Sequence, residues 1–251
     1  MNEIKDQLYR LILNKEAQKY AFAVKQGNEV KYPHQKDYLS EADLTKAIKG
    51  EASLGVMLIQ DKSGLCKAGC IDIDVPRDAK DLTEGLTLAQ TLKETAKISN
   101  LRTYIEFSGN RGYHLWIFSE KAVTASLMQN VLKAIASQAN FDCKEYFPNK
   151  VPTESKCIKL PCSLHLKSNQ RCGFISSNFN PNEPQIDFNS QAELMADFVQ
   201  NELEDLTAIA NSSVDNLTSG NKESQFESNK KQSEINQKLN SFGNNHPSCI
   251  N

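Results

Sequence analysis

Residues 102–118 predict a β-hairpin, and this segment constrains the fold of the chain more than any other. Residues 102–107 and 113–118 are rich in aromatic and β-branched side chains, which favour strands. Between them lies the sequence Ser-Gly-Asn-Arg-Gly, a turn signal with glycines at positions 109 and 112. Glycine adopts positive φ without steric cost and allows close approach to its backbone, so a tight reversal is expected here.

Helical and strand patterns alternate through the first 210 residues. The chain opens with apolar residues at helical spacing, namely Ile4, Leu8, Leu11 and Ile12. Further helices are predicted at 82–98, 122–139 and 194–209, and further strands at 54–60, 65–75, 157–160 and 171–176. The strands at 54–60 and 65–75 are expected to be joined by a turn at 61–64. This mixture indicates an α+β domain with a largely antiparallel sheet flanked by helices.

The composition changes near residue 210. In residues 211–251, Asn, Ser and Gln make up 20 of the 41 positions. Such a segment cannot bury enough apolar surface to offset its chain entropy, so residues 211–245 are predicted to form a flexible Asn/Ser-rich linker. Residues 246–251, His-Pro-Ser-Cys-Ile-Asn, depart from this composition and are interpreted as the start of a truncated further domain. Residues 1–210 are therefore predicted to be the folded domain.

Charge and hydropathy exclude several classes of protein. Lys and Arg number 29 against 31 Asp and Glu, which excludes a uniformly basic nucleic-acid-binding surface but not a local basic cleft. No apolar run reaches the roughly 18–20 residues of a membrane span, and the N-terminal segment lacks the apolar core of a secretory signal. Seven scattered cysteines argue for a reducing compartment rather than a disulfide framework. We therefore expect a cytoplasmic location and no membrane partner.

A pair of aspartates shares one face of the predicted strand at residues 71–75, Ile-Asp-Ile-Asp-Val. Because side chains alternate along a strand, Asp72 and Asp74 point to the side opposite the apolar residues. Like charges this close repel each other, and a divalent cation is the usual means of offsetting them. Mg²⁺ and Mn²⁺ prefer such oxygen ligands and leave positions for substrate phosphates. The alternative is an ordinary polar strand face exposed to solvent.

Hydrogen-bond donors gather at the end of the predicted hairpin. Ser108, Arg111 and His114 lie in or beside the glycine turn, whose backbone amides can line an anion-binding nest. The alternative to an anion-binding site is a plain hairpin whose polar side chains face solvent. For His114, the alternative is a hydrogen-bonded histidine in the core. A Ser/His nucleophile pair is disfavoured because the sequence has no Gly-x-Ser-x-Gly elbow.

A basic segment spans residues 141–176, with six Lys and Arg against three Asp and Glu. Within it Lys159, Ser163, His165 and Lys167 lie close together, which suits a polyanionic ligand such as a triphosphate. A solvated basic loop is the alternative. The cysteines of this segment lack the Cys-x₂-Cys spacing of zinc sites, so zinc is disfavoured.

In their order and spacing these segments resemble the archaeo-eukaryotic primase superfamily. The resemblance is carried by the apolar Asp-x-Asp strand, by Ser-Gly-x-x-Gly-x-His-x-Trp at 108–116 and by Lys-Leu-Pro-x-Ser-Leu-His-x-Lys-Ser at 159–168. It covers residues 35–190. The stretches Leu-Gly-Val-Met at 54–57 and Glu-Tyr-Phe-Pro at 145–148 are similar to the mobile-element and CRISPR-associated primase-polymerase branch.

This resemblance implies roles for individual residues. Asp72 and Asp74 would bind two Mg²⁺ or Mn²⁺ ions, with Glu145 as the third carboxylate and Asp142 as the alternative to it. The residues implied to bind the nucleotide are Ser108, Arg111, His114, Lys159, Ser163, His165 and Lys167. The resemblance also implies a primase-polymerase catalytic domain with an RRM-like sheet at 1–210 and a helical domain that begins at 246–251.

The reaction implied by the resemblance is nucleotidyl transfer directed by a single-stranded DNA template. The 3′-hydroxyl of a primer or initiating nucleotide would attack the α-phosphate of an NTP or dNTP, and pyrophosphate would leave. Two other functions stay open: a catalytically silent primase-like module that binds nucleotide or DNA in a replication or defence protein, and a metal-dependent nuclease. The intact acids at positions 72, 74 and 145 favour the enzyme.

Overall fold

The computed structural model describes residues 1–27, 29–60, 63–75, 82–149 and 156–218, with side chains described up to residue 211. The helices in these ranges are α1 (Asn2–Leu11), α2 (Glu41–Lys49), α3 (Thr83–Ile98), α4 (Ala125–Gln138), α5 (Gln191–Ala196) and α6 (Leu203–Thr218). The strands are β1 (Tyr20–Phe22), β2 (Val24–Gln26), β3 (Glu29–Lys31), β4 (Leu54–Val56), β5 (Leu65–Asp74), β6 (Thr103–Phe107), β7 (Gly112–Thr124), β8 (Glu145–Phe147), β9 (Ile158–Lys159), β10 (Leu164–His165), β11 (Gln170–Arg171) and β12 (Gly173–Phe174). The chain divides into a unit Met1–Ser212 and a unit Ser213–Asn251, and the sheets all belong to the first.

A five-stranded sheet in the order β12-β6-β7-β5-β8 forms the centre of the first unit. Every neighbouring pair in it is antiparallel. Strands β6 and β7 form the predicted hairpin, and the backbone N–H of Ser108 closes its turn by donating to the carbonyl of Gly112 at 3.0 Å. The predicted α+β class, with an antiparallel sheet flanked by helices, is confirmed.

Different elements cover the two faces of this sheet. Side chains alternate along β7, so Tyr113, Leu115 and Ile117 join a core formed with α3, α4 and α6. Trp116 and Phe118 point to the opposite face, where α1, α2, α5 and the three-stranded sheet β1-β4-β9 complete a second core. The middle strands are therefore buried on both faces, and polar side chains near their ends must find partners inside the protein.

The single closing helix predicted at 194–209 is wrong, because the structure has α5 and α6 with a break at residues 197–202. In that break the ring of Phe198 stacks on Tyr104, with ring centroids 3.8 Å apart. The side chain of Asn201 donates to the carbonyls of Arg102 and Phe118, each at 2.9 Å. These contacts with the sheet replace the helical hydrogen bonds that a continuous helix would make.

The strands around the predicted turn at 61–64 also differ from a simple hairpin. β4 pairs with β1 and β9, whereas β5 pairs with β7 and β8, so consecutive strands lie in different sheets. Residues 61–62 of that turn lie outside the described residues. Helix α2 and strands β1–β3 were not predicted from the sequence. α2 is only nine residues long and is capped by Ser40, whose Oγ accepts from the N–H of Asp43 at 3.1 Å.

Helix α6 extends past the predicted domain boundary at residue 210. Helix α6 continues to Thr218, so the first part of the predicted linker at 211–245 is helical. Leu206, Ile209 and Ala210 are buried, and extending a packed helix costs less than starting one. The rest of the predicted linker and the predicted domain start at 246–251 lie outside the described residues. Among the helices described, none is both long and apolar enough to cross a membrane.

Candidate functional site

A row of titratable side chains crosses four neighbouring strands of the central sheet. Asp72 on β5 is in register with Glu145 on β8 and with His114 on β7, and His114 is in register with Glu106 on β6. Residues in register on adjacent strands share a face and are separated by about one strand spacing, roughly 4.8 Å. The fold therefore places three acids and one histidine side by side.

His114 is held by a buried carboxylate that the sequence analysis missed. Oε2 of Glu106 accepts from Nδ1 of His114 at 2.8 Å and from Nε1 of Trp116 at 2.5 Å, and Glu106 has no exposed surface. Burial lowers the pKa of His114, but Glu106 and Asp72 outweigh it, so the net shift of this pKa is upward. The sequence did contain a signal for Glu106. Like Asp72, it is an acidic residue within an otherwise apolar predicted strand, Tyr-Ile-Glu-Phe.

The carboxylates of Asp72, Asp74 and Glu145 meet at the end of β5. Burial raises the pKa of Asp72, and the charges of Asp74 and Glu145 raise it further against the opposing effect of His114. Nε2 of His114 lies 3.7 Å from Oδ1 of Asp72. Glu145 forms an ion pair with Lys156. The acids are therefore a site of negative charge only partly neutralised by the chain itself.

The two candidates for the third carboxylate occupy different places. Glu145 lies on β8 directly opposite Asp72, whereas Asp142 precedes that strand. Both line a small cleft of about 120 Å³ with Asp72 and Asp74, but only Glu145 also lines the cavity of about 200 Å³ described below. Within the described ranges, no group of three His, Cys, Asp or Glu side chains is already arranged to hold a metal ion.

The glycines of the β6–β7 turn serve two different purposes. Gly109 has a φ of +83°, and a Cβ there would lie 2.9 Å from Cβ of His165. Gly112 has no positive φ, but a Cβ there would lie 2.6 Å from the carbonyl oxygen of Ile73, so glycine is needed for close approach to β5. The second glycine thus brings the turn against the strand that carries both aspartates.

The turn is docked on the basic segment by hydrogen bonds. Nζ of Lys159 donates to the carbonyl of Ser108 at 2.6 Å, and the hydroxyl of Ser168 donates to the carbonyl of Gly109. Burial lowers the pKa of Lys159, although nearby acids oppose the shift. Lys159 therefore has a structural bond to the turn as well as a place in the cavity.

His165 is a neutral histidine. Its Nδ1 accepts from the backbone N–H of Ser168 at 3.2 Å, which leaves Nε2 as the nitrogen that carries the proton. Burial, together with the positive charge of Lys159, lowers the pKa of His165 to about 4. His165 can therefore donate one hydrogen bond without adding charge.

Arg111 has an unsatisfied donor. Its Nη1 is buried and has no hydrogen-bond partner within the described part of the chain. A buried guanidinium nitrogen without a partner costs free energy, because it has lost its hydrogen bonds to water and has no protein acceptor to replace them. Arg111 lines the same cavity as the carboxylates, so an anion bound there would supply the missing acceptor.

These groups surround one cavity of about 200 Å³. The predicted site residues that line it are Asp72, Asp74, Ser108, Arg111, His114, Glu145, Lys159 and His165. Tyr32, Asn110 and Phe147 also line it, and the sequence analysis did not single them out. The cavity brings side chains from the central sheet together with side chains from β9 and β10.

Ser163 and Lys167 were predicted to bind nucleotide, but they do not line this cavity. Ser163 is fully buried, and its hydroxyl donates to the carbonyl of Leu160 at 2.7 Å, so the chain itself satisfies it. Lys167 is exposed.

Cys162 and Cys172 are buried, and burial raises the pKa of both thiols, that of Cys172 to about 12. They are therefore protonated core residues.

Comparison with known proteins gives one family and a set of structures. The sequence model described as "TOTE conflict system, Archaeo-Eukaryotic Primase domain" matches residues 3–203. No curated protein matches the chain.

Among solved structures, the AEP domain of the cyanophage S-2L primase-polymerase is 14% identical, with a TM-score of 0.47, covering 77% of this chain and 97% of the other. The polymerase domain of Mycobacterium tuberculosis ligase D, in complex with DNA, is 14% identical, with a TM-score of 0.45 and 78% of each chain covered. The primase RepB′ is 11% identical, with a TM-score of 0.41, covering 96% of this chain and 68% of the other.

Proposed function

This chain belongs to the archaeo-eukaryotic primase domain family of TOTE conflict systems, and we propose that it is a template-dependent nucleotidyltransferase. It would add nucleotides from NTP or dNTP to the 3′-hydroxyl of a primer or initiating nucleotide on single-stranded DNA. One observation carries the proposal: a single cavity joins the carboxylates of Asp72 and Asp74 to the guanidinium of Arg111, whose buried Nη1 has no partner among the described residues. Its assignment to a mobile-element or CRISPR-associated enzyme rests on the sequence resemblance alone.

The carboxylates fit divalent cations by their chemistry. Oxygen ligands suit Mg²⁺ and Mn²⁺, and the raised pKa of Asp72 reflects its burial and a repulsion from Asp74 and Glu145 that His114 only partly offsets. We propose that Asp72 and Asp74 hold two such ions and that Glu145 joins them after leaving Lys156. When bound, the ions would neutralise charge on the triphosphate and on the departing pyrophosphate.

The chain itself supplies the groups that bind and orient the nucleotide. Arg111 offers its guanidinium to the phosphates, and His165, which lines the same cavity, offers a neutral N–H donor. His114, whose pKa is raised and whose Nδ1 is held by Glu106, presents Nε2 next to Asp72. Positioning and charge stabilisation provide most of the catalysis in phosphoryl transfer, so these donors would align the α-phosphate for attack.

The reaction would form one bond and break one bond at the α-phosphorus. The 3′-hydroxyl oxygen would bond to that phosphorus as its proton passes to solvent, and the bond to the bridging oxygen of pyrophosphate would break. A silent binding module would have no need of the full set of acids. A nuclease binds no nucleoside triphosphate, so it would have less need of the phosphate-binding donors Arg111 and His165.

Incubation with single-stranded template, primer, labelled nucleotides and Mn²⁺ tests the proposal. We expect template-dependent labelled product from the wild type, none from Asp74→Asn, and wild-type yield from the control Asp6→Asn, an exposed aspartate on α1. Nucleotide binding without incorporation would indicate the silent module. Shortened template strands would indicate the nuclease.

A further inference from the structure

A second cavity lies along the edge strand β8. It has a volume of about 450 Å³ and is lined by Lys133 of α4, by Lys144 just before β8 and by Lys156. Glu145 lines both this cavity and the catalytic one, so the two cavities meet at the edge of the sheet. We refer to this second cavity as the β8 cavity.

Lysines outnumber acids among the described residues that line the β8 cavity. Lys133, Lys144 and Lys156 are all exposed, and Glu145 is the one acid among the described lining residues. Lys156 forms an ion pair with Glu145, whereas Nζ of Lys133 donates to the neutral amide of Gln129 at 3.0 Å. In the ranges that the structure describes, neither Lys133 nor Lys144 has a carboxylate partner. Their charges are therefore available to a polyanion.

The β8 cavity and the phosphate-binding groups lie on opposite sides of Asp72. Across the sheet, Glu145 on β8 is on one side of Asp72 and His114 on β7 is on the other. Arg111 directly precedes β7, and its carbonyl accepts from the N–H of Val75 at 3.0 Å, so it lies on the β7 side of β5, past the strand end that carries Asp74. Attacking and leaving oxygens are roughly in line in a phosphoryl transfer. If pyrophosphate departs toward Arg111, the attacking hydroxyl must arrive from the β8 side.

We propose that the β8 cavity binds the phosphate backbone of the strand that carries the attacking 3′-hydroxyl, that is, the primer and not the template. The proposal rests on the proposed function, because the direction of attack is taken from it. Lys133 and Lys144 would contact primer phosphates near the 3′ end, since Glu145 connects their cavity to the catalytic acids.

The test measures binding separately from catalysis. The double variant Lys133→Ala/Lys144→Ala is compared with Lys93→Ala/Lys97→Ala, a control pair of exposed lysines on α3 that line neither cavity. Affinity is measured by fluorescence anisotropy for a primer–template with a recessed 3′ end and for the template strand alone, at several salt concentrations. Lys133→Gln/Lys144→Gln, which keeps much of the side-chain length, serves as a second variant of the same site.

We expect the double variant to bind the primer–template about 2- to 30-fold more weakly, the range for two exposed ion pairs. The slope of log affinity against log salt should fall by about 1–2, since each lost phosphate contact contributes close to one. Template-alone and nucleotide affinities should match those of the control pair. In turnover, the KM for primer should rise while the KM for nucleotide stays the same.

Two results would overturn the primer assignment: an equal loss of affinity for template alone, or no loss for the primer–template. Failure of the proposed function looks different, because the wild type would then incorporate no nucleotide in any assay. The anisotropy results decide the primer site in either case, since they need no turnover.

Discussion

Nδ1 of His114 lies 2.8 Å from Oε2 of Glu106, a carboxylate that is fully buried and does not line the cavity that contains Asp72 and Asp74. On its other side the same imidazole faces Asp72, with Nε2 at 3.7 Å from Oδ1. The orientation of a cavity histidine is therefore set by an acid that the ligand cannot reach. Trp116 donates to the same carboxylate, so one buried acid serves two donors.

Glu106→Gln should lower the free energy of unfolding by about 1–3 kcal/mol, the usual range for a disturbed buried hydrogen bond to a charged group. The neutral amide oxygen of glutamine accepts more weakly from His114 and Trp116 than the carboxylate oxygen does, and the new NH₂ group would lie where Oε1 of Glu106 is buried without a partner among the described residues. Urea denaturation checks the stability, and because Trp116 is the one tryptophan of the chain, its emission spectrum reports on the site directly. The control is Glu120→Gln, an exposed glutamate on β7. Equal stability and an unchanged spectrum in Glu106→Gln would show that the hydrogen bonds are unimportant.

Arg111→Ala should weaken triphosphate binding by about 10- to 150-fold, the range for one charge-assisted hydrogen bond. Binding of single-stranded DNA at fixed salt should change little, because the unpartnered Nη1 lies among the residues of the catalytic cavity. Paired titrations with nucleotide and DNA check this, with the exposed Arg102→Ala as the matched control. A collapse of DNA affinity with intact nucleotide affinity would mean that the cavity binds the other ligand.

Asp72→Asn should abolish incorporation and leave stability at pH 7 equal to or above that of the wild type. The pKa of Asp72 is raised above its ordinary value, so its charged form is penalised in the folded chain. As the pH falls below neutral the folded wild type takes up this proton before the unfolded chain does, and the two proteins should converge in stability. Added Mn²⁺ should raise the melting temperature of the wild type and of Asp6→Asn, but not that of Asp72→Asn. An equal Mn²⁺ shift in all three would remove Asp72 from the cation site.

The pKa of His165 should affect the pH dependence of stability in the direction opposite to that of Asp72. Its pKa in the folded chain is about 4, below the ordinary value near 6.5, so the unfolded chain binds the proton first as the pH falls. Its contribution to stability should therefore be lost between pH 6.5 and 4. Denaturation at several pH values should show a smaller loss in His165→Gln than in the wild type or in His34→Gln, an exposed histidine. Parallel curves for all three proteins would contradict the assignment.

The sequence was sufficient for features that depend on local periodicity. Alternation in residues 71–75 placed Asp72 and Asp74 on one face, and the turn at 108–112 was predicted from its glycines. Both follow from the two-residue repeat of a strand and from the conformational freedom of glycine. The break between α5 and α6 could not be predicted this way, since it depends on contacts of Phe198 and Asn201 with a distant sheet.

By itself, the sequence determined which residues carry charge and which strand face each occupies, because both are properties of a few consecutive residues. Only the tertiary structure decided which of these faces meet. Register between β6, β7, β5 and β8 places Glu106 behind His114 and Glu145 beside Asp72, although these residues are far apart in sequence. The same packing leaves Ser163 bonded to Leu160 and away from the cavity. Such pairings depend on how whole strands and cores fit together, since a one-residue shift in register would turn each side chain to the other face of the sheet.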